Sequence, residues 1–485
     1  MATKLDNFIG GQYVQVAADC QQWIPVTTPH TGEVIAQCPV STPADVDAAV
    51  KAAHDAFPAW SQRTFKDRAQ ILLRYHHLIA NKYRDELAHL IVKEHGKTFA
   101  EALGDLAKGN ETVEYACAMP ELASGRIQEV SRGVTCHDTR VPLGVVVSIV
   151  PFNFPFMCPN WTLPIVLATG NTMVLKPSEK VPLTMTRVAA ILKEAGVPDG
   201  VFNIVLGTAP VVNALIDHPL VKAVTFVGTT HVAEMVHRRA TGRGIRCLAL
   251  GGAKNHLVAA PDVDVEMAAH DIVNSFTGCS GQRCMAASVL LIVGDNQKLV
   301  DAIVAKAKVL TQKEIGPVID DASVKRITGY IDESEKGGAK LLLDGRPWTS
   351  RLQPGHFVGP TVILHTNASD RALHDEVFGP VLSILHVPTL DAAIAIENAN
   401  PYGNAAAIYT QSGFTAEYAT KRFSAGMIGV NIGVPVPREP FSFGGWNRSK
   451  FGDADITADG GMEFFTKRKK VTTKWSVPSE RSWLN

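Results

Sequence analysis

"LGVVVSIV" at residues 143–150, followed at once by "PFNFPFM" at 151–157, decides the fold. An uncharged run rich in Val and Ile, with a proline at its end, reads as a strand buried on both faces. The same pattern returns in "NTMVLK" (171–176), "VFNIVLG" (201–207) and "KAVTFVG" (222–228). Helical segments lie between, such as "PLTMTRVAAILKEAG" (182–196), which stops at Gly196 with Pro198 just beyond. Alternation of buried strand and helix specifies an α/β fold. A doubly wound sheet of this kind binds a nucleotide at the carboxyl ends of its strands.

Toward the N-terminus, "STPADVDAAVKAAHDAFPAW" (41–60) reads as an amphipathic helix with Ser/Thr start signals, and a long helical tract follows over roughly 64–95. Toward the C-terminus, a second α/β series runs from "HLVAA" (256–260) through "SVLLIV" (288–293) to "NAAAIYT" (404–410). Two polar-alternating stretches, "RGVTCHDTR" (132–140) and "KRKKVTTKWSV" (467–477), read as exposed strands. They form either an arm that adds to another subunit's sheet or an intrachain edge hairpin. The basic run 467–470 within the second reads as a solvated edge, not a targeting patch.

The chain has 485 residues, enough for two or three domains, and is 46% hydrophobic and 19% charged. Lys+Arg and Asp+Glu balance at 47 each, so no net field draws the protein to nucleic acid or to a membrane. No secretory h-region opens the sequence and no apolar run is long enough to span a bilayer. Eight cysteines scattered over this length fit reduced thiols in a cytoplasmic setting. The common dinucleotide, P-loop and zincin signatures are absent, and no histidine or cysteine cluster has metal-ligand spacing, so no metal is expected.

Four short stretches can carry chemistry. "TGCSGQRCMA" (277–286) holds Cys279 and Cys284. A nucleophilic cysteine needs a lowered pKa in a water-poor but reachable site, and Arg283 supplies positive charge beside Cys284. Gly281 lets the backbone come close to a ligand. Cys279 reads as a buried structural thiol. Asn153, where the first strand meets its loop, can donate its amide to a developing oxyanion. "VLKPSE" (174–179) ends the next strand with Lys176 and Glu179, suited to ribose or phosphate. "DEVFGPVLSI" (375–384) places Glu376 in a turn as a second ribose contact.

Taken in this order, these motifs resemble the aldehyde dehydrogenase superfamily over nearly the whole chain. Within it, "FNFPFM", "KPSEKVPLT", "GAKNH", "GQRCMA" and "VPVPREPFSFGGWNRSKFGD" are similar to the CoA-acylating, methylmalonate-semialdehyde branch. The resemblance implies a doubly wound cofactor domain (1–120 and 141–250), an α/β catalytic domain (251–440) and a small β bridging arm (121–140 and 465–485). It makes Cys284 the nucleophile, and Asn153 with the Cys284 N–H the oxyanion hole. It places Phe152, Lys176, Glu179, Lys180 and Thr229 on the adenosine side of NAD and Glu376 on the nicotinamide ribose. The arm implies a homo-oligomer, dimer or tetramer.

One departure carries the chemistry. Hydrolytic members have a general-base glutamate where "CLALGGAKNH" (247–256) has Leu250. Leucine cannot deprotonate water, so coenzyme A is the expected acceptor of the acyl group. Methylmalonate semialdehyde would give propionyl-CoA with loss of CO2, and malonate semialdehyde acetyl-CoA. A second departure puts Lys108 where the branch has an arginine for the substrate carboxylate. Lysine keeps the charge and loses the bidentate fork, leaving Arg283 as the second anchor. Two rival readings are a hydrolytic dehydrogenase whose base lies elsewhere, for instance Glu376, and a non-enzymatic scaffold.

Overall fold

The computed structural model describes residues 3–16, 22–349 and 354–475. Its central feature is an eight-stranded sheet. The strand Val145–Ile149 lies in the middle, every residue of it buried. Thr172–Lys176 and then Phe202–Ile204 pair in parallel on one side, and Val221–Val227 and then Arg246–Leu250 on the other. Strand order therefore reverses at Val145–Ile149. In a doubly wound sheet that reversal opens a crevice beyond the carboxyl ends, and ligands bind there. The edges are closed by antiparallel strands, Asn7–Ile9 and Gln12–Val14 at one end and Lys450–Phe451 at the other.

The expected strands and the helix Leu183–Ala195 are present, and Gly196 ends that helix in the left-handed conformation. The helix read at 41–60 spans Pro43–Ser61; Thr42 caps it in a capping box with Asp45. The tract at 64–95 is two helices, Phe65–His77 and Arg84–His95, joined by a π-helical turn at Leu78–Lys82.

A second, seven-stranded sheet runs through His256–Ala259, Val289–Val293 and Ala405–Tyr409. It also takes in Thr361–Leu364, Val381–Val387 and Met427–Val430, which the sequence reading did not single out. Lys450–Phe451 lies beyond residue 440, in a stretch given to no domain, and returns to the first sheet beside Leu250. In a separate three-stranded sheet, Val134–Pro142 is flanked by Arg126–Ser131 and by Thr466–Lys474, both antiparallel. The intrachain pairing of the two polar strands is thus formed. Residues 476–485, part of the expected arm, lie outside the described residues. The run 467–470 sits mostly exposed on this sheet. Among the described residues no helix is long and apolar enough to cross a membrane.

Candidate active site

At the strand-order reversal lies a cleft of about 540 Å³. Phe152 and Asn153 reach it from the loop after Val145–Ile149, and Lys176, Glu179 and Lys180 from the next strand end. Thr229 begins the helix Thr230–Thr241 on the far side of the reversal. Cys284 and Glu376 enter from the second sheet. The residues read as catalytic or cofactor-binding therefore line one cleft.

The turn carrying Cys284 is shaped by three successive left-handed residues, Cys279, Ser280 and Gly281, with φ of 56°, 54° and 69°. Such a run is costly for side chains other than glycine and persists only when its surroundings over-determine it. Here they do. The Cys279 N–H donates to the Glu101 carboxylate, and Ser280 Oγ donates to the Gly316 carbonyl at 2.5 Å. A Cβ at Gly281 would lie 2.0 Å from the Gly379 carbonyl oxygen. Gly281 thus admits the Phe378–Gly379–Pro380 backbone, where the sequence reading gave it to a ligand. Two asparagine amides, Asn255 and Asn404, both donate to the Cys284 carbonyl at 2.8 Å. Neither was assigned a role from sequence, although Asn255 stands inside the quoted "GGAKNH".

Asn153 is buried, and its side-chain amide donates to the Gln282 carbonyl at 2.9 Å, two residues before the thiol. That bond uses one amide hydrogen and leaves the other for a ligand beside Cys284. Its backbone carbonyl accepts from Lys97 Nζ at 2.8 Å. Cys279 is buried and donates its thiol to the same carbonyl at 3.8 Å, as befits a structural residue.

The thiol of Cys284 departs from expectation. Burial pushes it up to about 12, the Glu376 carboxylate adds to that, and Arg283 lowers it only in part. The reason is geometric. Arg283 is turned to Glu101, 3.5 Å away, and its guanidinium packs against Gly278. Lys108 likewise faces carboxylates, Glu111 at 2.6 Å and Glu439 at 3.1 Å. Neither Arg283 nor Lys108 lines the cleft, so both sit apart from the other predicted residues.

Electrostatics on the cofactor side favour a polar ligand. Lys176 Nζ lies 3.0 Å from Glu179, and Lys180 pairs with Asp320 at 2.6 Å while lying over the Phe152 ring. Burial works to raise Glu179, but Lys176 and Lys180 hold its carboxyl below the usual range, so it is an anionic hydrogen-bond acceptor. Burial pushes Glu376 up to about 7, against a hydrogen bond of 2.9 Å from the Ala253 N–H. A strand-end Lys–Glu pair and a second carboxylate across the cleft suit the ribose hydroxyls and phosphates of a dinucleotide. Among the described residues no cluster could hold a metal ion.

Leu250 ends the strand beside Val221–Val227. It is only 3% exposed and belongs to the apolar cluster against which Cys284 packs. Trp161, which lines the cleft, is stacked on Phe443 at 4.4 Å.

Comparison with known proteins identifies the family. Residues 15–471 match the family model described as the aldehyde dehydrogenase family. The chain is 44% identical over 480 residues to malonate-semialdehyde dehydrogenase 1 of Geobacillus thermodenitrificans (strain NG80-2), covering 97% of this chain and 99% of that one. Methylmalonate-semialdehyde dehydrogenase from Oceanimonas doudoroffii has a TM-score of 0.95 and 39% identity, with 99% of each chain covered. A structure from Sinorhizobium meliloti 1021, complexed with NAD, has a TM-score of 0.96 and 35% identity, again over 99% of each chain.

Proposed function

Because the chain belongs to the aldehyde dehydrogenase family, we propose that it oxidises malonate or methylmalonate semialdehyde with NAD and hands the acyl group to coenzyme A. The observation that carries the acceptor is Leu250, a buried hydrocarbon side chain where water would need a base. The names of the relatives, malonate- and methylmalonate-semialdehyde dehydrogenase, support the substrate class. The NAD complex of the Sinorhizobium neighbour supports the cofactor.

In this reading the Cys284 sulfur attacks the aldehyde carbon, and its proton leaves to solvent. The carbonyl oxygen becomes an alkoxide that accepts from the free Asn153 amide hydrogen and the Cys284 N–H. Removing one such donor typically costs about 100–1,000-fold in rate. NAD, held by Lys176, Glu179 and Glu376, supplies the hydride acceptor when bound. The oxidised product is a thioester on Cys284. The CoA thiolate attacks its carbonyl and expels Cys284 as thiolate; CO2 leaves from the substrate carboxylate and a proton from solvent takes its place on the carbon, giving acetyl-CoA or propionyl-CoA. Glu179 would repel a 2′-phosphate, which favours NAD over NADP. Lys108 and Arg283 reach a substrate carboxylate only by leaving their present carboxylate partners.

One observation favours a hydrolytic alternative: Glu376, raised to about 7, is poised as a base. A panel of acid semialdehydes with NAD, with and without CoA, separates the two by product mass. Acyl-CoA supports the proposal, and free acid under both conditions supports the alternative. The sheet of Arg126–Ser131, Val134–Pro142 and Thr466–Lys474 leaves Ile127 and Val130 exposed at its edge, which supports assembly into a dimer or tetramer. Sedimentation at micromolar concentration showing only a 52.2 kDa species would contradict that assembly.

A further inference from the structure

Beneath the cleft lies a charged pair that the chemistry above does not use. Lys97 and Asp105 are wholly buried, with Nζ 3.0 Å from Oδ2. Lys97 stands just before the helix Phe99–Cys117, and Asp105 lies within it. Two charges taken out of water are costly, and apolar side chains of similar volume commonly fill such a space as well or better. What distinguishes this pair is the segment it holds. Lys97 Nζ donates to the Asn153 carbonyl at 2.8 Å and lies over the Phe154 ring at 4.1 Å. The second oxygen of Asp105 accepts from the Met157 N–H at 2.7 Å. One ion pair, outside the residues that line the cleft, therefore grips both ends of the turn 153–157.

The geometry points to Lys97 and Asp105 as positioning residues that hold the Asn153 amide where the oxyanion forms. The backbone of Asn153 is fixed from below by Lys97, and its side chain from the side by the Gln282 carbonyl. With both tethers in place the remaining amide hydrogen has one direction. A misplacement of about 1 Å in such a group can cost on the order of 100-fold in rate. The inference rests on the reading of Asn153 as oxyanion donor.

A double-mutant cycle tests it on the full-length enzyme, read as the rate of the first NADH turnover with malonate semialdehyde. Lys97→Met should slow that step about 100-fold in the wild-type background but about threefold or less in Asn153→Ala, because the loss runs through a donor already gone. NAD affinity should stay unchanged in both. A purely structural role would instead give equal losses in the two backgrounds. Should Lys97→Met fail to fold because Asp105 is left unpaired, Lys97→Met/Asp105→Leu removes both charges and serves in its place. Hydrogen–deuterium exchange supplies a readout free of turnover. Amides of 153–160 should exchange faster in the variant while those of Val289–Val293 keep their protection. Should wild-type enzyme make no NADH, the activity assigned above falls, and exchange alone decides whether the pair holds the turn. Unchanged exchange at 153–160, or equal slowing in the presence and absence of the Asn153 amide, overturns the inference.

Discussion

Two strands of one sheet end near the cleft with opposite equipment. Val145–Ile149 runs into buried Asn153, whose backbone carbonyl accepts from Lys97 and whose side-chain amide donates to the Gln282 carbonyl. Arg246–Leu250 ends in Leu250, which offers only carbon and belongs to the apolar cluster that Cys284 packs against. The strands sit on either side of Val221–Val227 and are parallel to it, so backbone geometry does not separate them. The difference is side-chain chemistry alone. One wall can stabilise negative charge on oxygen; the other cannot take a proton from water. On the proposed reading, such a site forms an acyl-enzyme and hydrolyses it slowly.

The largest expected effect tests the group both walls serve. Cys284→Ala should abolish NADH formation, since no other described thiol lines the cleft except Cys158, which is buried and pushed well above the ordinary thiol range. Cys279→Ala, which loses only a 3.8 Å contact to the Asn153 carbonyl, should retain activity within about threefold. Initial rates on folded protein decide both.

Next, the donor wall can be removed by itself. Asn153→Ala should lower the first-turnover rate about 100–1,000-fold with little change in NAD affinity. A loss below tenfold would mean that the Cys284 N–H suffices, and the contrast between the two walls would shrink.

A third effect concerns the apolar wall. Burial holds the Cys284 thiol up to about 12 in the free protein. A raised thiol pKa keeps the neutral form, so the thiolate fraction at neutral pH is small and grows about tenfold per pH unit below that value. Alkylation of Cys284 by iodoacetamide, followed by mass spectrometry, should therefore accelerate continuously between pH 7 and pH 10. A plateau near pH 8 would show that Arg283 reaches the thiol after all.

The smallest expected effect lies at the neighbouring strand end. Glu179 should favour NAD over NADP by about tenfold in kcat/KM, softened by Lys180, and Glu179→Gln should narrow the ratio. An NADP preference in the unaltered enzyme would remove Glu179 from the 2′-hydroxyl.

Much of this was legible in the sequence, for an identifiable reason. Strands buried on both faces are continuous apolar runs, so "LGVVVSIV" and its repeats mark the sheet, and functional residues of such a sheet stand directly after those runs. Asn153, Lys176 and Glu179 were read that way, whereas Thr229 came from the family resemblance. What stayed hidden lies where distant segments meet. Lys97 and Asp105 carry no spacing signal, since their common target is 56 and 48 to 52 residues away along the chain. Asn255 and Asn404, each directly before a strand of the second sheet, converge on one carbonyl. Arg283 and Lys108 were legible as charges, but their partners Glu101 and Glu439 were not, and the partners decide where the charges point.

The central claim is that nothing at the Leu250 wall activates water for the Cys284 thioester. Stopped-flow mixing of enzyme and NAD with malonate semialdehyde, first without and then with CoA, tests it directly. The account predicts a rapid NADH burst near one per active site followed by slow turnover without CoA, and a steady state faster by about 100-fold or more when CoA is added. Equal steady-state rates in both runs, with free acid as the only product, would contradict it and hand the role of base to Glu376.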